Sequence, residues 1–346
     1  MSKNLKEFML RQTTGQVDLE FDDDSTQSYN MKDVVTATSD PVTGAVGFLP
    51  AYLSGLNYLA SSTYVPSGIT SNDTDAQNIA ALFQRYPVVR LVPGATYYGN
   101  IVIPDGKFLI SDGQAKAKIF GLTNSSPVIS RSGCTGISGL DIQSATFGGD
   151  DIAPNSIGVS FTNSQNTSFT RDCYIHNVSN CLYSNGSYVY SNIFENIQFG
   201  RFREAAIYFN CVGATGNVYN NLYSQDWSAY PTSKMTLTGP VFQFLGSHDE
   251  GVMNQINVEH VVANGAFLFN GCNNFKLNSV HIEGFEASGN YGALINIVNS
   301  NVSIDSMTAV YCTIDAANAA NYSLAKFTVS GGIQSSLRLS NYKDKG

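Results

Sequence analysis

Between residues 137 and 312 one nine-residue spelling, apolar-x-x-apolar-x-apolar-x-x-apolar, recurs seven times. The copies are ISGLDIQSA (137–145), TRDCYIHNV (170–178, with Thr leading), FENIQFGRF (194–202), YNNLYSQDW (219–227), MNQINVEHV (253–261), LNSVHIEGF (277–285) and IDSMTAVYC (304–312). They begin 33, 24, 25, 34, 24 and 27 residues apart. A second alternating apolar segment precedes most of them: IGVSF (157–161), AIYF (206–209), VFQF (241–244), AFLF (266–269) and LINI (294–297). A repeat of this length marks a solenoid, whose units bury their apolar side chains only by stacking on one another.

Helical repeats fit this spelling badly. Apolar positions one, four and six do not trace one helical face, and pairs such as Asn220-Asn221 or Ser138-Gly139 are costly in mid-helix. Leucine-rich repeats share the first six positions but require Asn or Cys at the ninth, which here holds Ala145, Val178, Phe202, Trp227, Val261, Phe285 and only once a cysteine, Cys312. The sequence instead predicts an all-β chain wound as a single-stranded parallel β-helix. Each period is one coil. The polar pair at positions two and three turns the chain between two strands, and asparagine suits that corner because it tolerates left-handed backbone angles.

Composition agrees. Only 13% of the residues are charged, whereas Gly, Tyr and Phe number 31, 19 and 20, a balance suited to short strands and tight turns. A formal charge of −8 argues against nucleic acid, whose phosphates demand Lys and Arg. The six cysteines lack C-x-x-C spacing, so they are expected as free, mostly buried thiols rather than a zinc site. The opening MSKNLKEFML has no signal-peptide core, and no apolar run approaches membrane-spanning length, so no membrane insertion is expected.

Ahead of the coils, SNDTDAQNIAALFQRYP (71–87) reads as an amphipathic helix. Thr74 and Gln77 form its expected capping box, Ala76, Ile79, Ala80 and Phe83 its apolar face, and Pro87 its stop. Such a helix can lid the open end of a β-helix. Strands divided by Pro-Gly and Asp-Gly turns follow in VVRLVPGATYYGNIVIPDGKFLISDG (88–113). Here the sequence resembles the pectate-lyase-like right-handed β-helices of bacteriophage tailspikes. Asn72-Asp73-Thr74, Ala76 and Ile79 look like that family's entry helix, and Leu91-Val92-Pro93-Gly94 with Tyr97 and Ile103 like its first rungs.

The resemblance spans roughly residues 70–330. It implies a homotrimer on a virion tail that acts at the bacterial cell surface, binding and often cleaving surface polysaccharide (capsule or O-antigen). It divides the chain into an N-terminal virion-attachment or trimerisation segment (1–68), a capping helix with first rungs (69–125) and the β-helix proper (126–346). The N-terminal segment is the expected link to a tail or baseplate protein.

Stacked coils set equivalent positions about 4.8 Å apart. The fifth, seventh and eighth positions therefore form columns, which gather Asp226, Glu259, His260, His281 and Glu283 around the fourth to sixth copies. Glu259 falls directly beneath Glu283. Two carboxylates so close do not both ionise easily, so one is expected to keep a proton, as glycoside hydrolysis requires. We expect Glu283 as acid and Glu259 as nucleophile or base, with Asp226 and His281 in support. Tyr223, Trp227, Tyr230, Arg201 and His260 are the expected substrate contacts. Two long insertions, 146–156 and 228–240, leave the coils at one angular position and predict loops on the same edge. No compact Asp/Glu cage is evident, so neither metal nor cofactor is expected. A non-catalytic glycan-binding module and a polysaccharide lyase remain open on the same scaffold.

Overall fold

A computed structural model describes residues 5–11, 16–21, 26–30, 61–144, 152–225, 235–288, 293–314, 323–328 and 335–345. The chain separates into two compact units, residues 1–60 and 61–346. In the first, Leu5–Arg11, Gln16–Phe21 and Thr26–Asn30 form a three-stranded antiparallel meander. The Thr/Val-rich stretch that follows, whose composition reads as strands, lies outside the described residues.

The second unit is the predicted parallel solenoid. One ten-stranded sheet stacks nine strands in a row, from Ile101–Ile103 through Phe242–Asp249 to Ser323–Thr328, with Ser164–Asn166 paired beside the row. An eighteen-stranded sheet carries the two halves of the nine-residue repeat side by side. A four-stranded sheet begins at Met235–Thr236 and continues through Val261–Ala263. Ser61–Tyr64, which the sequence reading leaves in the N-terminal segment, pairs with Val88–Leu91 as the first rung.

Register follows the repeat. Met253 pairs with Leu277, Ile256 with Val280 and Val258 with Ile282. Leu277 in turn pairs with Ile304. Described side chains at positions one, four and six are buried in every copy. Position three turns left-handed at Gly139, Asp172, Asn196, Asn221 and Gln255, as the predicted corner requires. Its asparagines also bond from coil to coil: Asn196 Nδ2 donates to Asp172 Oδ1 and Asn221 Nδ2 to Asn196 Oδ1, both at 3.0 Å. At position two Asn254 donates to Asn220 and Asn278 to Asn254. A further left-handed corner falls at position eight, at Asn177, His260, Gly284 and Tyr311.

The core is a continuous aromatic and aliphatic stack. Phe194 lies on Tyr219 with centroids 4.8 Å apart, and Phe244, Phe269 and Phe275 continue it. Arg131 takes an inward position otherwise held by apolar side chains, paired with Ile103 and Phe161. Its guanidinium is satisfied by Thr135 and Thr170 and sits 5.1 Å from the Phe161 ring centre. Burial pushes its pKa down to about 9. All six cysteines are free; Cys173, Cys181, Cys211 and Cys272 are buried, and burial raises the pKa of these four thiols.

The entry helix runs Thr74–Phe83 and buries Ala76, Ile79 and Phe83. Two details of its expected pattern change. Ala80 faces solvent, and Asp75 is buried instead, accepting hydrogen bonds from Tyr64 Oη, Ser67 N and Tyr98 N. Burial alone would raise the Asp75 pKa, but these donors outweigh it and lower it. The capping box does not form: Asp73 is the cap residue, and Gln77 Nε2 donates to its carboxylate at 2.9 Å. No described helix is long and apolar enough to cross a membrane.

Long strands bend at a column of bulges, where register shifts in consecutive coils. Gly246 and Gly271 occupy it with φ of 87° and 81°. A Cβ on Gly271 would come within 2.1 Å of the Gly246 carbonyl oxygen. Gly271→Ala should therefore lower unfolding free energy by about 2–4 kcal/mol, measured by urea denaturation. Gly68→Ala, also left-handed but with nothing within 4 Å, should cost only about 1–2 kcal/mol.

His248 follows this bend, buried, with Nε2 3.1 Å from Phe209 O and 3.0 Å from Leu245 O. Burial lowers its pKa, so the unfolded chain takes up a proton that the folded chain refuses. Its contribution is present above the unfolded value of about 6.5 and is lost as pH falls from there through the lower folded value. Denaturation midpoints of His248→Gln should accordingly decline less between pH 7 and pH 5 than those of the parent.

Candidate functional site

Positions five and seven point outward from the second strand of each repeat, and register stacks them as expected. Tyr223, Asn257, His281 and Thr308 form one column. Glu259 pairs with Glu283 in the next. Alternation along the strand forces this: Ile256 and Val258 enter the core, so Asn257 and Glu259 cannot.

Four predicted residues meet here. The Tyr223 hydroxyl lies 2.6 Å from Glu259 Oε2, reaching one coil along the axis. His281 Nε2 lies 3.1 Å from Glu283 Oε2, and these two side chains are 34% and 35% exposed. One oxygen of each glutamate and one ring nitrogen of His281 all fall within 4.8 Å of one another. This is a half-exposed group that a substrate can reach and that neighbouring hydrogen bonds orient. The same three donors could hold a divalent cation, a donor set the sequence reading does not anticipate.

Gln225, buried beneath, is the main residue that reading passes over. Its Oε1 is 2.5 Å from the Tyr223 hydroxyl. A phenol has a single proton, so it can donate to only one of Gln225 and Glu259. With the Gln225 amide turned so that its nitrogen faces the phenol, the chain runs Gln225 to Tyr223 to Glu259 and every bond has a donor. The signal for Gln225 was its place in the Glu259 column.

The other predicted residues are placed differently. His260 sits at the left-handed corner, where a Cβ on Gly284 would meet its ring at 2.8 Å. Arg201 belongs to an earlier coil, its carbonyl accepting from Asn177 N. Asp226, Trp227 and Tyr230 lie outside the described residues, as does most of both predicted loops. Toward the N-terminus the same face carries a second imidazole–carboxylate pair, His176 Nε2 to Asp141 Oδ1 at 2.8 Å, with Tyr174 stacked on His176 at 4.1 Å.

Tyr223 is also one wall of a cavity of about 340 Å³, lined otherwise by Asn196, Ile197, Gln198 and Asn221. The cavity thus adjoins the glutamate pair through a shared phenol.

No protein-family profile and no curated protein matches the chain. Among solved structures it is similar to ORF18 of Geobacillus virus E2, with 10% identity and a TM-score of 0.43 over 96% of this chain and 68% of that one. It is similar to the Dettilon tailspike protein, with 12% identity and a TM-score of 0.41 over 84% of this chain and 63% of that one. The catalytic unit of an α-1,3-glucanase from Streptomyces thermodiastaticus strain HF3-3 also matches, with 10% identity and a TM-score of 0.28 over 82% and 70%. Likenesses this distant say nothing of chemistry, which rests on the side chains described above.

Proposed function

We propose that this solenoid is a phage tailspike that binds bacterial surface polysaccharide, capsule or O-antigen, and hydrolyses its glycosidic bonds. The observation that carries the reading is the in-register Glu259–Glu283 pair, half exposed and oriented by Tyr223 and His281. Carboxylate oxygens within 4.8 Å leave no room for the water that an inverting pair holds between its carboxyls, and favour retention.

In this mechanism Glu283 gives its proton to the glycosidic oxygen as the bond to the anomeric carbon breaks. Glu259, held by the Tyr223 hydroxyl, attacks that carbon and forms a glycosyl ester. Glu283 then takes a proton from water, whose oxygen displaces Glu259 and restores both carboxyls. His281, bonded to Glu283, positions the acid. The remaining parts of the proposal are assembly as a homotrimer, attachment to a tail or baseplate protein through residues 1–68, and virion localisation with action at the host surface.

A second reading, elimination at a uronate, is favoured by one observation, the convergence of Glu259, His281 and Glu283 on a space that a cation could fill. Incubation with capsule from susceptible hosts separates the two. Hydrolysis predicts new reducing ends with no unsaturated product, insensitivity to a chelator and a loss of at least about 100-fold in rate for both Glu259→Gln and Glu283→Gln. Cleavage surviving both changes removes this pair from the mechanism. An unsaturated, ultraviolet-absorbing product whose formation a chelator stops would establish elimination instead.

A further inference from the structure

The cavity beside the glutamate pair is built from the position-three corner of two successive coils, Asn196 and Asn221, and from the position-five residues Gln198 and Tyr223. Among the described residues its polar lining is three carboxamides and one phenol. Both corner asparagines are held by the coil-to-coil ladder from Asp172, which fixes the direction of their amides. At about 340 Å³ it has the volume of a small-ligand pocket.

Charge limits what such a cavity accepts. Among the described residues no Lys or Arg lines it. Along the two outward columns from Tyr174 to Val310, the residues are Tyr174, Gln198, Tyr223, Asn257, His281 and Thr308, and His176, Gly200, Gln225, Glu259, Glu283 and Val310, again without Lys or Arg. Arg201, at the neighbouring corner, is already engaged within the protein. A sugar carboxylate placed here would lose water without gaining a cation and would face Glu259 through Tyr223. Hydroxyl and acetamido groups, which both donate and accept, match carboxamides, and the Tyr223 ring offers an apolar face to sugar C–H bonds.

We propose that this cavity is the subsite for the sugar next to the bond acted on, and that it selects an uncharged sugar, neutral or N-acetylated, over a uronate or sialate. The inference rests on the reading of Glu259 and Glu283 as the reacting pair, and it adds the substrate class and Asn196, Gln198 and Asn221 as specificity determinants.

The test uses the full chain carrying Glu259→Gln, so that retention is scored without cleavage. It is passed over immobilised uncharged glycans (glucans, galactans, mannans, N-acetylglucosamine oligomers) and acidic ones (polygalacturonate, hyaluronan, polysialate). We expect retention confined to uncharged members and weakened at least about ten-fold by Gln198→Glu or Asn221→Asp, which insert a carboxylate at nearly constant volume. In the cleaving protein the same changes should raise KM more than they lower kcat. Equal or better retention of the acidic glycans, retention indifferent to both substitutions, or no retention of any uncharged glycan would overturn the proposal. Circular dichroism of each variant identifies misfolding, and Gln198→Asn, which keeps an amide, should then preserve the preference. Retention of uncharged glycans without cleavage by the parent protein would reject the hydrolytic reading and, with it, the subsite's place beside a cleaved bond, leaving only the cavity's preference for uncharged sugars.

Discussion

Backbone hydrogen bonding from coil to coil holds this molecule in register, and the rest of the structure depends on it. A parallel strand has its donors and acceptors satisfied only when a neighbour lies on each side. Each coil therefore serves as a template for the next, and a residue's environment is set by its column. Inward columns become uniform: Phe209, Phe244 and Phe269 stack in successive coils, as do Ile256 and Val280. Corner columns become ladders, in which Asn278 donates to Asn254 and Asn254 to Asn220. An odd residue must bring its own solution. Arg131, alone among apolar column-mates, is met by two threonines and an aromatic face.

The same constraint assembles the candidate site. No loop has to fold back to bring Glu259 to Glu283; 24 residues of chain return them to adjacent rungs. Strand alternation aims both outward, and the left-handed corner at position eight limits how far each strand extends beyond them. Tyr223, one coil earlier than Glu259 and one column across, reaches both that carboxylate and the amide-lined cavity. In the proposed reading, chemistry and recognition are drawn from neighbouring columns of one face, a placement that would cost little reorganisation on glycan binding.

Much of this was legible in the sequence because the repeat encodes side-chain direction directly. The register of Leu277 with Met253, the burial of Phe285 and the meeting of Tyr223, Glu259, His281 and Glu283 all follow from counting along the nine-residue spelling. What was not legible depends on side-chain reach or on segments outside the repeat. The buried ladder of Ser168, Asn192 and Asn217, which bonds the backbone at the third corner, lies upstream of the spelling and looks like ordinary turn composition. Asp75 reads as a solvated helix-start acid, because its three donors come from residues 64, 67 and 98. The cavity beside Tyr223 joins two columns that a single-column reading keeps apart.

Distance along a column is the most direct measure of the stacking on which all this depends. Residues 198 and 308 occupy the same position-five column four rungs apart, through Tyr223, Asn257 and His281. Nitroxides attached there through bio-orthogonal amino acids, which leave the six native cysteines unlabelled, can be read by electron paramagnetic resonance. Register stacking predicts a single narrow distribution whose backbone separation is about 19 Å. A broad distribution, or a separation much longer than four strand spacings and the label tethers allow, would contradict it.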